Sequence, residues 1–205
     1  MSKAIKYYLI AYNGIAFLAW LAFGVSVITG KGNVFLLLGI AQSLALLEIV
    51  HAVTGWVRSP VGSTAAQVAS RILVVVLFFA FNADEHLRWT IIGFYVVSFA
   101  WTITELVRYS FYFLGLLESQ PRWLLWMRYS FFILLYPIGV SGEWMIILSP
   151  LIAYGFTAIT YIECFGPRPL PNLYYGVFVA FLAVSYIYYF PVLYRYMWKQ
   201  RKAKL

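Results

Sequence analysis

The chain alternates long apolar runs with short polar breaks, and the runs have the length of helices that cross a bilayer. Lys3 and Lys6 precede a run from roughly 8 to 28, which is longer than the core of a secretory signal and is followed by no convincing small-residue cleavage site. It therefore reads as a retained first span. Gly30-Lys31-Gly32-Asn33 turns the chain into a second run at about 34–54, and Arg58-Ser59-Pro60 separates this from a third at about 64–81. Asn82-Ala83-Asp84-Glu85-His86 is a polar loop, about 89–116 is a fourth span, and Glu118-Ser119-Gln120-Pro121 turns the chain again. From Arg122 to Ile162 the sequence stays apolar for roughly 40 residues, about 60 Å as helix and twice the hydrocarbon thickness. One span does not account for that length. The pattern predicts a fifth span at about 122–142, with Trp144 to Tyr161 returning, lying along the interface or crossing once more. Gly166-Pro167-Arg168-Pro169-Leu170-Pro171 is then a stiff loop before a last span at about 173–194.

Composition narrows this to an all-α polytopic membrane protein with one domain over 1–205. The chain is 63% hydrophobic and only 11% charged, too apolar for a soluble domain of 205 residues. Its net charge of +8 gathers at the ends without a nucleic-acid-binding motif, which argues against nucleic acid as a partner and for the lipid bilayer. The basic tail Arg195, Lys199, Arg201, Lys202, Lys204 and the basic head should both face the cytosol. Equal sides need an even number of crossings, so the expectation is six transmembrane helices in one bundle. Cys164 is the only cysteine, and with His51 and His86 the only histidines, a disulfide, a cysteine cluster or a multi-histidine metal site is not expected.

Ionisable residues inside such spans are costly and need a reason. Glu48 and His51 lie three apart on one helix face, as a proton relay or as groups that satisfy each other. Glu105 and Arg108 share that spacing and read as a neutralising ion pair, while Arg71 either reaches the interface or pairs with an acidic neighbour. Arg108-Tyr109-Ser110-Phe111 recurs as Arg128-Tyr129-Ser130-Phe131 around the turn at Ser119. Interfacial anchoring accounts for the repeat, and a cationic clamp for an anionic headgroup is the sharper alternative. His51-Ala52-Val53-Thr54-Gly55-Trp56-Val57-Arg58-Ser59 has the outline of a tyrosine-phosphatase loop, but Ala52 stands where the nucleophilic cysteine must be. An alanine cannot form the phosphocysteine intermediate, which argues against phosphatase chemistry through that loop. Tyr136 and Glu143, in Leu134-Leu135-Tyr136-Pro137-Ile138-Gly139-Val140-Ser141-Gly142-Glu143, are the strongest acid-base candidates. An unbroken helix puts them on one side about 10 Å apart along the axis, and Pro137 with Gly139 should bend it. The plain alternative is a tyrosine at a kink and a glutamate at a helix end.

Four motifs occur in one order: Val57-Arg58-Ser59-Pro60, Gln67-Val68-Ala69-Ser70-Arg71, Trp101-Thr102-Ile103-Thr104-Glu105-Leu106-Val107-Arg108-Tyr109, and Leu135 to Glu143. Together they resemble the very-long-chain 3-hydroxyacyl-CoA dehydratases, also called protein tyrosine phosphatase-like proteins. The resemblance implies a six-span enzyme of the endoplasmic reticulum membrane that removes water from a 3-hydroxyacyl-CoA to give a trans-2-enoyl-CoA. That is the third step of each fatty-acid elongation cycle. It places the catalytic pair on Tyr136 and Glu143, requires no metal or redox cofactor, and makes the other elongation enzymes expected partners. Arg58, Arg108, Arg122 and Arg128, on the cytosolic side of the expected topology, are candidate contacts for the phosphates of the acyl-CoA. The tail Gln200-Arg201-Lys202-Ala203-Lys204-Leu205 resembles a dilysine retrieval signal with Ala203 in a lysine's place. A non-catalytic scaffold of a lipid-synthesis complex is the main alternative, and a small-molecule transporter the next.

Overall fold

A computed structural model describes residues 2–81, 88–154 and 172–205, and all regular structure within them is helical. The helices are α1 (Lys3–Thr29), α2 (Val34–Val53), α3 (Val61–Phe81), α4 (Arg88–Leu116), α5 (Arg122–Ser130), α6 (Phe132–Tyr154) and α7 (Asn172–Lys204). Six of them, all but the nine-residue α5, are long and apolar enough to cross a membrane. The chain is a multi-pass membrane protein, as the apolar runs predict. The polar loop at 82–87 and the stretch 155–171, including the Gly166–Pro171 loop, lie outside the described residues.

Local chemistry determines where these helices start and stop. The Ser2 side chain accepts a bond from the Ile5 N–H at the start of α1, and Asn33 does the same for Leu36 at the start of α2. Gly30 closes α1 in the left-handed conformation at φ 65°, where a side chain would be strained, and its N–H reaches the Ser26 carbonyl. Pro60 precedes α3 and needs no N–H there, while its carbonyl accepts from Thr64.

The long apolar stretch after Arg122 divides differently from the pattern's indication. The short helix α5 ends at Ser130, and the fifth long helix begins at Phe132 rather than near 122 and runs on past 142 to Tyr154. A start at Phe132 leaves Arg122 and Arg128 outside the apolar segment, where their charge costs least. The residues from Trp144 to Tyr154 continue α6. Pro137 and Pro150 both lie inside it without ending it. Each removes one backbone donor, a loss that a membrane helix can repair through neighbouring groups.

The chain forms two compact units. The first comprises Met1–Leu73 and Ser98–Leu135, the second Val74–Val97 and Tyr136–Leu205. In the first, Trp20 and Phe23 of α1 are fully buried, and a Cβ on Gly24 would come within 2.6 Å of Thr102, so α1 and the second half of α4 pack closely there. In the second, Phe78 of α3 stacks on Phe94 of α4 at 4.2 Å between ring centroids. Gly93 of α4 lies against Gly142 of α6, where an added Cβ would fall 2.7 Å from the Gly142 carbonyl oxygen. Most of α7 is exposed, with Phe181, Ile187 and Tyr189 turned outward as lipid-facing residues are.

Candidate active site

Within the second unit, α6 carries both Tyr136 and Glu143, and α7 supplies an aromatic residue to each. The Tyr186 hydroxyl donates to Glu143 Oε2 at 2.6 Å, and the Tyr136 ring packs on Phe190 at 6.2 Å with 31° between planes. Tyr186 and Phe190 are four apart, one turn of α7, so one face of that helix meets both candidate residues. Trp144 lies edge-on to Tyr186 at 5.3 Å, which holds the phenol against the carboxyl group from the residue beside it. The close approach of Gly93 to Gly142 fixes α6 one residue before Glu143. Because α6 remains helical through Pro137, Tyr136 and Glu143 are separated by about 10 Å of axial rise and lie on one side of the helix. That spacing suits two groups acting on a short reacting segment held between them.

Among the described residues, four further charges inside the apolar helices, Glu48, Arg71, Glu105 and Arg108, lie in the first unit and neutralise one another. Arg71 Nη1 is 2.7 Å from Glu105 Oε1, and Arg108 Nη2 is 2.5 Å from Glu105 Oε2. Arg108 also grips Glu48 with two donors, at 3.0 and 2.6 Å, and the Tyr109 hydroxyl donates to the same carboxylate at 2.6 Å. The order Arg71, Glu105, Arg108, Glu48 alternates in sign, so a buried chain of charges carries no net charge. The expected Glu105–Arg108 pair is present, and Arg71 has the acidic neighbour. Glu48 and His51, three apart, take separate hydrogen-bond partners, though Tyr12 touches both: the His51 Nε2 meets the Tyr8 hydroxyl at 3.0 Å, and its ring stacks on Trp56.

Arg58 and Arg122 are exposed, the first in the loop after α2 and the second at the start of α5. Arg128 lies over the Tyr112 ring at 5.8 Å, whereas Arg108 is engaged with two carboxylates. The two Arg-Tyr-Ser-Phe copies thus do different work. In the loop with the phosphatase outline, the N–H groups of Trp56 and Val57 both turn back to the His51 carbonyl, at 3.0 and 3.3 Å, rather than outward to an anion. Among the described residues no group of three or more His, Cys, Asp or Glu is placed to hold a metal.

Tyr186 is the residue that the sequence pattern did not expose. Its only signal is that Tyr186, Tyr188 and Tyr189 crowd the last span, and nothing in that run marks which phenol turns inward. Tyr12 was equally silent, and Tyr109, though marked by its repeat, gave no sign of its partner: their hydroxyls find Leu44 and Glu48 only through tertiary packing.

Residues 42–205 match the family model described as protein tyrosine phosphatase-like protein, PTPLA. The very-long-chain (3R)-3-hydroxyacyl-CoA dehydratase hpo-8 of Caenorhabditis elegans is 38% identical, covering 97% of this chain and 94% of the relative. The dehydratase PASTICCINO 2 of Arabidopsis thaliana is 37% identical, covering 100% and 96%, and the human very-long-chain (3R)-3-hydroxyacyl-CoA dehydratase 2 is 35% identical, covering 95% and 79%. No solved structure gives a significant match.

Proposed function

Since the chain belongs to the protein tyrosine phosphatase-like (PTPLA) family, we propose that it is a very-long-chain 3-hydroxyacyl-CoA dehydratase with Tyr136 and Glu143 as its acid-base pair. The observation that carries the activity is the likeness to dehydratases of worm and plant over nearly the whole of both chains. The placement of a carboxyl group and a phenol on one side of α6 supports the choice of residues. The reaction is the third step of fatty-acid elongation, the loss of water from a 3-hydroxyacyl-CoA.

Elimination has two difficult parts. The proton on C2, beside the thioester, is weakly acidic, and hydroxide on C3 is a poor leaving group. In the proposed reaction Glu143 takes the C2 proton, the released electron pair forms the C2–C3 double bond, and the C3–O bond breaks. Tyr136 gives the departing oxygen a proton, so water leaves. An exchange of roles, with Tyr136 polarising the thioester carbonyl, would use the same two residues. Neither version draws on a redox cofactor. The fatty chain belongs among lipid-facing helices, and the nucleotide stays in water, where exposed Arg58 and Arg122 and the half-buried Arg128 are suited to its phosphates. Both termini are assigned to the cytosol from their basic residues, and the endoplasmic reticulum to the membrane that holds the elongation cycle and its partner enzymes.

Purified protein should convert a (3R)-3-hydroxyacyl-CoA to the trans-2-enoyl-CoA. Tyr136→Phe and Glu143→Gln, at matched abundance, should each lose on the order of 10²–10⁴-fold in turnover, the range for a general acid or base. Near-normal turnover in both variants would remove the assignment and favour a scaffold.

A further inference from the structure

The pair on α6 does not act unsupported, and the structure assigns Tyr186 of α7 as the positioning residue for Glu143, an inference that rests on the dehydratase reading above. The tyrosines of the last span divide sharply. Tyr188 and Tyr189 are 66% and 65% exposed and meet each other edge-on at 5.1 Å, as lipid-facing rings do. Tyr186 turns the other way and places its hydroxyl 2.6 Å from Glu143 Oε2. Packing alone would require the ring. The hydroxyl is needed only where a polar partner waits, because a phenol O–H in an apolar setting is costly without one.

The bond constrains Glu143 in a way that matters for proton abstraction. A glutamate side chain has three rotatable bonds, and a base acts best when its carboxylate plane is fixed relative to the C–H bond it breaks. Tyr186 holds one oxygen, Trp144 holds Tyr186, and the Gly93–Gly142 contact holds the backbone from which Glu143 projects. Three of the four helices contributing to the second unit therefore converge on one carboxyl group. Throughout the elimination Tyr186 keeps its proton: the C2 proton passes to Glu143, and the proton that leaves with hydroxide comes from Tyr136. Tyr186 orients the base and does not touch the reacting carbons.

The full-length protein, reconstituted in lipid, tests this with 3-hydroxyacyl-CoA carrying hydrogen or deuterium at C2. Tyr186→Phe should lower kcat about 10–100-fold, the usual effect of losing a group that orients a reacting residue, while KM stays within about twofold. The primary isotope effect on kcat should rise, because transfer of the C2 proton becomes slower relative to the other steps. Thermal unfolding should remain close to that of the parent, and Tyr188→Phe should leave turnover unchanged. Parental kcat in Tyr186→Phe overturns the proposal, as does a fall in kcat with an unchanged isotope effect, or a loss confined to KM. The underlying reading is tested separately by Glu143→Gln. Loss of turnover there together with parental turnover in Tyr186→Phe removes only the role of Tyr186, whereas parental turnover in Glu143→Gln removes both.

Discussion

Arg71 and Glu105 show how single residues here depend on the sign of their neighbours. Arg108 already has Glu48 as a second partner, so removing Arg71 alone leaves the network with one excess negative charge, and removing Glu105 alone leaves it with one excess positive charge. Breaking a buried pair from one side costs about 3–5 kcal/mol, whereas replacing both partners by apolar groups is often close to neutral. Arg71→Met and Glu105→Leu should each lower the unfolding temperature markedly in detergent, and the double variant should recover most of the loss. A double variant as unstable as the sum of the two would contradict the network. At the water boundary the balance is different. Lys6 donates to Glu118 at 3.0 Å, and this hydrogen bond, aided by the lysine's charge, holds the Glu118 carboxyl below its ordinary range. A depressed folded-state value means that the contribution is present above the unfolded value and disappears as acid takes the pH down through the folded one. The link is therefore intact at neutral pH. Both groups are solvent-accessible, so salt should screen it.

Among the elements, α4 and α6 meet at a point where no side chain fits. A Cβ on Gly142 would lie 2.9 Å from the Val97 backbone nitrogen and 2.8 Å from its Cγ2. Gly142→Ala must push these helices apart, at a cost of about 1–3 kcal/mol, the range for overpacking, and should reduce turnover because Glu143 is the next residue. Gly39→Ala in α2 is the control. Nothing lies within 4 Å of its Cβ position, and alanine favours helix by up to about 1 kcal/mol over glycine, so stability should hold or rise. Thermal unfolding and turnover of the two variants compare these outcomes directly. The long helices were legible in the sequence because an apolar run of spanning length can satisfy its backbone in lipid only as a helix. The start of α6 was not, because Trp123, Leu124, Leu125, Trp126 and Met127 continue the apolar pattern and no Gly or Pro marks the break at Phe131. The same contrast holds for the site. A glutamate in an apolar run is conspicuous, and so is a tyrosine beside a proline. A tyrosine such as Tyr186, in a chain with 17 of them, is distinguished only by the direction it faces.

For the whole molecule, the proposed six crossings and the basic ends put the loops at 54–60 and 117–121 with both termini on one side, and the loop at 30–33 on the other. Single cysteines introduced at Ser59, Ser119 and Lys202 in a Cys164→Ser background should react with a membrane-impermeant thiol reagent from the cytosolic side. A cysteine at Lys31 should react only after the membrane is opened. Labelling of Lys31→Cys and Ser119→Cys from the same side would overturn the topology. The alternating charges of the first unit also bear on how the chain is made. Within the network the fourth helix brings Glu105 and Arg108 together as a balanced pair, while the second brings the acid Glu48 and the third the base Arg71. Synthesis runs from the N-terminus, so both odd charges enter the bilayer before their final partners exist. A nascent chain stopped after residue 81 should be cleared rapidly, and one stopped after residue 116 should persist, as pulse-chase measurement would show. With that outcome, the arrival of α4 would mark the step in synthesis at which the growing protein ceases to be a substrate for quality control.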